Sequence, residues 1–340
     1  MGREADKVHY IDAARGVAIL LVVICHAAQP FRLEIGRTWT DIAMLGQYGV
    51  QLFFAASALT LCMAWDRDSR LGAFWVRRLF RIVPMYYVGI LLYWGWFSMR
   101  GEAELYTPGN LVSNAALVHG LILDAHNSVV PGGWSIGTEV LFYCVFPFVV
   151  GPLLRLGRSA DWALPALACA WAAFIGWAWP WTEAQASFRY HSLALQLPVF
   201  LMGFWVYLRP ALRWRQDLVA VVLVAACWAL IWKLRSGNPL MLGLVAALVL
   251  RVLRHLGDAP AWLRRVGQVS FSMYVVHFIL AFFVAPWLVS GFGGRAFSAV
   301  LGIGLTILLS YLVALATEAA IERPMIKLGR RLSSPALSPA

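Results

Sequence analysis

The feature that most constrains this chain is a series of long apolar runs, separated by short polar stretches, along nearly all of its 340 residues. Such runs suit membrane-spanning helices, each of which needs roughly 17–25 residues. Hydrophobic residues make up 61% of the chain and charged residues only 13%, which is too little polar surface for a soluble core of this size. We therefore predict an all-α, polytopic integral membrane protein.

About ten spans are predicted, near residues 13–31, 43–65, 82–99, 134–154, 161–181, 190–208, 217–234, 239–256, 267–289 and 296–320. The apolar segment 108–123 is shorter, and it could be a re-entrant helix, an interfacial helix or an eleventh span. If this segment does not cross and the N-terminus is cytoplasmic, most of the 28 Lys and Arg residues lie in cytoplasmic segments. Both termini are then cytoplasmic.

This topology also accounts for the net charge of +11, so we expect no nucleic-acid partner. The predicted organisation is one transmembrane domain over residues 1–332 and a disordered tail over 333–340. The histidines, cysteines and carboxylates show no metal-ligand spacing, and no metal is predicted. His119, Asp124 and His126, near the uncertain segment, could line a site for an acceptor molecule.

Ionisable residues inside a span are costly, and they mark candidate functional sites. Arg15 and His26 in RGVAILLVVICH are eleven positions apart, so they share nearly the same helix face about 16 Å apart along its axis. Arg15 would lie at the cytoplasmic end of its span and His26 beyond the midplane. The alternatives are a topology anchor for Arg15 and an interhelical hydrogen bond for His26.

A second group is RRLFRIVP at residues 77–84. Arg77, Arg78 and Arg81 lie close together, and Arg78 and Arg81 are one helical turn apart, so they can face one ligand. Pro84 fits the first turn of the next helix, which predicts a helix start near residue 82. Guanidinium groups suit phosphate, although a contact with lipid headgroups is the alternative.

A third group is GGWSIGTEVLFYCVFP, in which Ser135, Glu139 and Tyr143 recur every four residues and share one helix face. Glu139 is predicted at a depth similar to that of His26, where a carboxylate could orient the imidazole as a base. The alternatives are that Glu139 lines a water-filled cavity or is protonated.

A fourth group is GQVSFSMYVVH at residues 267–277, where Ser270, Tyr274 and His277 lie on one helix face. His277 is either a second member of the site or an interhelical hydrogen-bonding residue, and the sequence does not separate these two interpretations.

These motifs resemble the acyltransferase family 3 membrane O-acyltransferases over nearly the whole chain. The segments that carry the resemblance are Arg15 to His26, QYGVQLFFAASALTL at 47–61, RRLFRIVPMYY at 77–87, WSIGTEVLFYCVFP at 134–147 and SFSMYVVH at 270–277. The resemblance implies transfer of an acyl group, usually acetyl, from cytoplasmic acyl-CoA to hydroxyls of extracytoplasmic or lipid-linked glycans. It also implies a bacterial inner membrane. One departure is FFAASALTL, where the family often has a serine–glycine–phenylalanine turn.

The resemblance further implies that His26 is the essential histidine, that Arg15, Arg78 and Arg81 are essential arginines, and that Trp134, Ser135 and Glu139 belong to a conserved outer block. We expect the phosphates of acetyl-CoA to bind the arginines Arg15, Arg77, Arg78 and Arg81.

His26 is the expected base, with Glu139 or Asp12 as its orienting partner, although it could instead carry the acyl group. Ser135, Trp134 or Tyr274 could donate to the oxyanion, and contacts with the acceptor are expected from Trp134, Tyr274 and His277. A transporter or glycan flippase that uses the same polar cavity is the alternative from another class, and a structural scaffold is a third.

Overall fold

A computed structural model describes residues 2–104, 106–292 and 294–334, without the side chains of 2–8 and 158. Within these residues all regular secondary structure is helical, with no strand. This confirms the predicted all-α class. The first eight α-helices are α1 Gly2–Ala28, α2 Arg32–Met44, α3 Gly49–Arg67, α4 Leu71–Met99, α5 Pro108–Ala115, α6 Gly133–Leu154, α7 Ala160–Ala178 and α8 Ala186–His191. The remaining eight are α9 Leu193–Leu208, α10 Trp214–Ile231, α11 Asn238–Leu256, α12 Ala261–Gln268, α13 Ser270–Ile279, α14 Ala285–Val289, α15 Arg295–Thr317 and α16 Arg323–Ser333.

Nine helical stretches in the described part of the chain are long and apolar enough to cross a membrane. One of them, His9–Arg67, covers the first two predicted spans, and it contains a non-helical residue at Gly36. The segment 108–123 is not among the nine. It forms the eight-residue helix α5 and a short 3₁₀ turn, and a helix of that length rises only about 12 Å. It is therefore too short to span as a helix.

The predicted helix start near residue 82 is wrong. Helix α4 begins at Leu71, so the three arginines lie on the helix and Pro84 lies inside it. A proline inside a helix removes one backbone hydrogen bond and usually bends the helix. Helix α4 continues across this position because the residues before the proline pack against α16 and those after it pack against α13. At the other end of the chain, Ser333 is the last residue of α16, whereas 335–340 of the predicted tail lie outside the described residues.

Packing divides the chain into two compact units. Unit 1 comprises Met1–Val22, Leu45–Cys62 and Glu104–Gln268, and unit 2 comprises Val23–Met44, Met63–Ala103 and Val269–Ala340. The single domain expected over 1–332 stays a prediction, because a membrane domain can contain more than one compact unit.

Unit 1 is held together by stacked aromatic rings from α3, α6 and α9. Phe142 stacks on Phe200 at 3.9 Å between ring centroids, and Phe54 stacks on Phe200 at 4.8 Å. Elsewhere in the unit, Gly16 and Gly267 lie where an added Cβ would overlap the backbone oxygens of Leu263 and Asp12. Only glycine permits this close approach of α1 and α12, as is common where membrane helices cross.

Unit 2 places α4 against α13 and α16. Met85 of α4 packs against Val275 and Val276 of α13, and the Tyr93 hydroxyl donates to the Val275 carbonyl at 2.8 Å. A π-helical turn at Glu318–Glu322 connects α15 to α16. Helix α16 approaches α4 so closely that a Cβ at Gly329 would lie 2.6 Å from Phe80 Cβ.

Candidate functional site

The first element of the candidate site is a cationic cavity of about 480 Å³ in unit 2, which we call the arginine cavity. Its lining includes six arginines and one aspartate, namely Arg67, Asp68, Arg70, Arg77, Arg78, Arg81 and Arg330. The predicted Arg77, Arg78 and Arg81 are therefore brought to one cavity. One carboxylate cannot neutralise six guanidinium groups, so the cavity keeps a net positive charge that suits phosphate.

Asp68 organises one wall of the arginine cavity. Arg70 Nη2 donates to Asp68 Oδ2 at 2.9 Å, and Arg77 Nη1 donates to the same oxygen at 2.6 Å. These bonds, first from Arg70 and then from Arg77, hold the pKa of Asp68 well below its ordinary range. Arg70 also donates to the Ser333 carbonyl at 2.8 Å, which ties α16 to the cavity.

The second element is a pair of histidines in unit 2. His26, near the end of α1, has its Nδ1 at 3.1 Å from Nε2 of His277 on α13. His277 is completely buried, whereas His26 is partly exposed. The two imidazoles thus form an interhelical hydrogen bond between residues 251 positions apart.

The position of the protons follows from the partners of His277. Its Nδ1 lies 2.7 Å from the Tyr274 carbonyl, which can only accept, so His277 Nδ1 carries a hydrogen. A buried imidazolium without a carboxylate partner is costly, so a neutral His277 accepts at Nε2. His26 then donates from Nδ1, and its Nε2 is the basic nitrogen.

The third element, in unit 1, is the carboxylate of Glu139 with the hydroxyls of Ser57 and Tyr143, which we call the carboxylate cluster. Glu139 Oε1 accepts from Ser57 Oγ at 2.5 Å and from Tyr143 Oη at 2.6 Å. Tyr143 lies one turn along α6, as the four-residue spacing predicts, whereas Ser57 comes from α3. The predicted pairing of Glu139 with His26 stays a prediction.

The fourth element is an aromatic and histidine group at the N-terminal end of α6, in unit 1. The Trp134 ring stacks on His191 at 4.1 Å between centroids with an interplanar angle of 17°. Thr138 Oγ1 donates to the His191 carbonyl at 2.5 Å. Ser187 Oγ lies 3.2 Å from His126 Nε2 and 3.4 Å from His191 Nδ1. His126, one of the three polar residues predicted to line an acceptor site near segment 108–123, therefore belongs to the group around Trp134.

Other predicted residues have more local roles. Ser135 Oγ donates to the Gly132 carbonyl at 3.0 Å, at the first turn of α6. Arg15 belongs to unit 1, where its Nη2 donates to Thr60 Oγ1 at 3.3 Å. The described lining of the arginine cavity comes from unit 2 alone, so phosphate binding by Arg15 stays a prediction.

Comparison with known proteins decides the family. The family model described as "Acyltransferase domain" matches residues 8–315. The chain belongs to acyltransferase family 3. It is 27% identical over 294 residues to the "Putative membrane-bound transacylase BcsY" of Komagataeibacter xylinus, covering 78% of this chain and 71% of that protein. It is 29% identical over 150 residues to the "Acyltransferase MdmB" of Streptomyces mycarofaciens, covering 40% of this chain. The matched stretch spans only 38% of MdmB. No solved structure matches the chain.

This family 3 acyltransferase is thus an integral membrane enzyme that takes an acyl donor and an acceptor. Its family favours acyl transfer over the transporter, flippase and scaffold alternatives. The candidate residues predicted from the sequence do not include several residues of the site, among them Ser57, Arg67 and Arg330. A polar side chain in the middle of the apolar stretch Leu52 to Leu59 is the sequence signal for Ser57. The basic residues of α16 indicate only topology in the sequence, because nothing local pairs them with α4.

Proposed function

We propose that this acyltransferase moves an acetyl group from cytoplasmic acetyl-CoA to a hydroxyl of an extracytoplasmic or lipid-linked glycan. The observation that carries the proposal is the hydrogen bond between His26 and His277, which supports His26 Nε2 as the base of the reaction. A bacterial inner membrane is the location that fits this reaction.

The arginine cavity supports acetyl-CoA as donor. Phosphates and a 3′-phosphorylated ribose are the anionic parts of CoA, and six arginines line the cavity. We assign Arg78 and Arg81 to the phosphates because both line the cavity from consecutive turns of α4. Arg77 has a different role, since it is bound to Asp68 and shapes the wall.

Within unit 2, helix α4 both lines the arginine cavity and packs against α13, the helix that carries His277. Met85 and Tyr93 contact α13 beside His277, and they lie about 6 and 18 Å along the helix from Arg81. A thioester group extended along α4 from phosphates at Arg81 would therefore approach the histidines.

The chemical step needs a base and an oxyanion donor. His26 Nε2 takes the proton of the acceptor hydroxyl as its oxygen attacks the thioester carbonyl. The carbon–sulfur bond then breaks, and the CoA thiolate leaves and takes up a proton. Tyr274, whose ring centroid is 5.6 Å from that of His277, is our candidate donor to the oxyanion in unit 2. Trp134 and Ser135 stay alternative candidates for this donor, Glu139 stays a candidate orienting partner of His26, and Trp134 stays a predicted contact of the acceptor.

The test is transfer of acetyl from labelled acetyl-CoA by the full-length protein in nanodiscs, together with mass spectrometry of surface glycans from cells. His26→Ala should lower the rate about 10²- to 10⁴-fold, the range for loss of a general base. His255→Ala, at an exposed histidine of α11, is the matched control. Normal acetylation by a well-inserted His26→Ala protein would refute the role of His26.

The donor is tested separately. Arg78→Gln and Arg81→Gln should each raise the KM for acetyl-CoA about tenfold through loss of a charge-assisted bond. The control is Arg37→Gln, at an exposed arginine of unit 2 outside the arginine cavity. An unchanged KM in both cavity variants would place the donor elsewhere, and movement of a glycan without acetyl-CoA would point to a transporter.

A further inference from the structure

A second cavity, of about 540 Å³, lies within unit 1. Three tryptophans and three cations are among its lining residues: Trp181, Trp228, Trp232, Arg189, Lys233 and Arg235. They come from the ends of spans that the predicted topology places on the extracytoplasmic side. We call it the outer cavity.

The cations of the outer cavity are not neutralised by carboxylates. Arg189 is only 1% exposed, and its guanidinium donates to the carbonyls of Trp179 at 2.8 Å, Arg235 at 3.0 Å and Leu234 at 3.4 Å. These carbonyl oxygens accept hydrogen bonds from the guanidinium of Arg189, but they carry no net charge, so they do not neutralise it. Lys233 adds an exposed charge, and no Asp or Glu is among the described lining. The outer cavity therefore carries a positive potential in a half-enclosed space, where a charge acts more strongly than on an open surface.

The aromatic residues give the outer cavity flat apolar faces. The guanidinium of Arg235 lies 3.7 Å above the Trp181 ring centroid. Trp228 and Trp232 are 39% and 58% exposed, so their rings are accessible. A pyranose ring has one apolar C–H face that stacks on such rings, whereas its hydroxyls and any anion need polar partners.

The backbone at Arg235 is strained. Its φ of 50° and ψ of 34° lie in the left-handed region, which residues other than glycine rarely adopt. The bond from Arg189 to the Arg235 carbonyl holds this conformation, and the conformation holds the Arg235 side chain over Trp181. Strain that is maintained by a buried cation is typical of a functional position rather than a simple turn.

Tyr190 connects the outer cavity with Trp134 of the outer block. Tyr190 lines the cavity, its ring centroid lies 6.2 Å from that of Trp134, and its hydroxyl accepts from Gln51 at 3.2 Å. Gln51 lies about 9 Å along α3 from Ser57, the partner of Glu139. Within unit 1, helix α3 therefore carries one contact with the outer cavity's lining, at Gln51, and one with the carboxylate cluster, at Ser57.

We propose that the outer cavity binds an anionic saccharide, with the sugar ring on the tryptophans and a phosphate or carboxylate at Lys233 and Arg235. This rests on the proposed function, and it narrows the acceptor to glycans that carry a negative charge beside the acetylated sugar.

Binding is tested on the full chain in phosphatidylcholine nanodiscs by saturation-transfer NMR, with glucose 1-phosphate, glucuronate and glucose as probes. Both anionic probes should bind about tenfold more tightly than glucose, and salt should weaken their binding. Arg235→Asn removes the charge but tolerates the left-handed backbone, and with Lys233→Gln it should remove the preference for anions. Trp181→Leu should weaken all three probes.

Matched controls are Arg215→Gln and Trp177→Leu, at exposed residues of unit 1 outside the outer cavity. They should bind like the wild type. Equal affinity for glucose and its phosphate, or unchanged binding by Trp181→Leu, would overturn the proposal. Loss of glucose 1-phosphate binding in phosphatidylglycerol nanodiscs would also overturn it, because the cavity would then hold a lipid headgroup.

The two proposals fail differently. His26→Ala should bind glucose 1-phosphate with an unchanged Kd while losing acetyl transfer. If transfer proceeds and the acceptor KM is unaffected by Trp181→Leu, the saccharide site is wrong and the proposed function stands. If binding occurs but the wild type acetylates no glycan, the proposed function is wrong and only the binding site remains.

Discussion

At the scale of single residues, the Tyr274 carbonyl determines which nitrogen of His26 is basic. It fixes the hydrogen of His277 on Nδ1, and the remaining nitrogen of His277 then accepts from His26. His277 is thus a positioning residue in our proposal, although the sequence also allowed it to be a direct contact for the acceptor. Its complete burial favours the positioning role.

Replacing His277 tests this role. His277→Leu removes the acceptor for His26 Nδ1, so kcat should fall about tenfold or more while the KM for acetyl-CoA is unchanged. His277→Gln keeps an acceptor oxygen and should recover part of kcat. The measurement is steady-state kinetics on both proteins with their melting temperatures as a control. Equal losses in both variants would mean that the residue serves packing alone.

We expect His119 to make the stability of the protein depend on pH. Its Nε2 donates to the Gly133 carbonyl at 3.0 Å, and burial lowers its pKa. The unfolded chain then takes up this proton more readily, so the free energy of unfolding falls as pH drops below the ordinary histidine pKa of about 6.5. His119→Gln keeps a side-chain donor without titrating, and it should lose part of this dependence.

The measurement is the melting temperature in detergent at pH 8, 7, 6 and 5. The exposed His255→Gln is the control, and it should keep the wild-type slope. The same slope in His119→Gln would show that other groups cause the pH dependence.

At the scale of elements, α4 and α16 build the arginine cavity together. Helix α4 presents Arg77, Arg78 and Arg81, while α16 supplies Arg330 and the carbonyl of Ser333 that accepts from Arg70. The closeness of the two helices depends on Gly329, where a Cβ would lie 2.6 Å from Phe80 Cβ.

Two glycine substitutions separate packing from helix propensity. Gly329→Ala should destabilise the protein by about 1–3 kcal/mol, because Phe80 must move, and it should raise the KM for acetyl-CoA. Gly304→Ala in α15 adds a Cβ that has no atom from outside its own helical turn within 4 Å. This substitution should be neutral or should stabilise the protein by up to about 1 kcal/mol. Melting temperatures and kinetics measure both effects, and identical behaviour of the two variants would contradict the packing of α16 against α4.

At the scale of the whole molecule, the distribution of basic residues predicts that both termini are cytoplasmic. In our proposal, this orientation gives the arginine cavity access to cytoplasmic acetyl-CoA and gives the outer cavity access to extracytoplasmic glycans. A fluorescent protein fused after residue 334 should therefore fluoresce, and alkaline phosphatase inserted at Glu183, in an exposed turn, should be active. The opposite pattern would reverse the topology and remove the cytoplasmic donor from the proposal.

The amino-acid sequence by itself determined the fold class, the membrane location and the candidate side chains. Apolar runs and helical spacing are local properties, so they suffice to place Arg78 and Arg81 one turn apart and Glu139 on the helix face of Tyr143. The helix start predicted from Pro84 is wrong because tertiary contacts carry α4 across that proline.

Only the tertiary structure decided the partners. His26 meets His277, Glu139 meets Ser57, and Arg330 joins the arginines of α4, although each pair is far apart in sequence. In a chain whose spans are mostly apolar, many helix pairings bury similar surface, and the pairing that occurs depends on the shapes of side chains at each crossing. No local pattern encodes that choice.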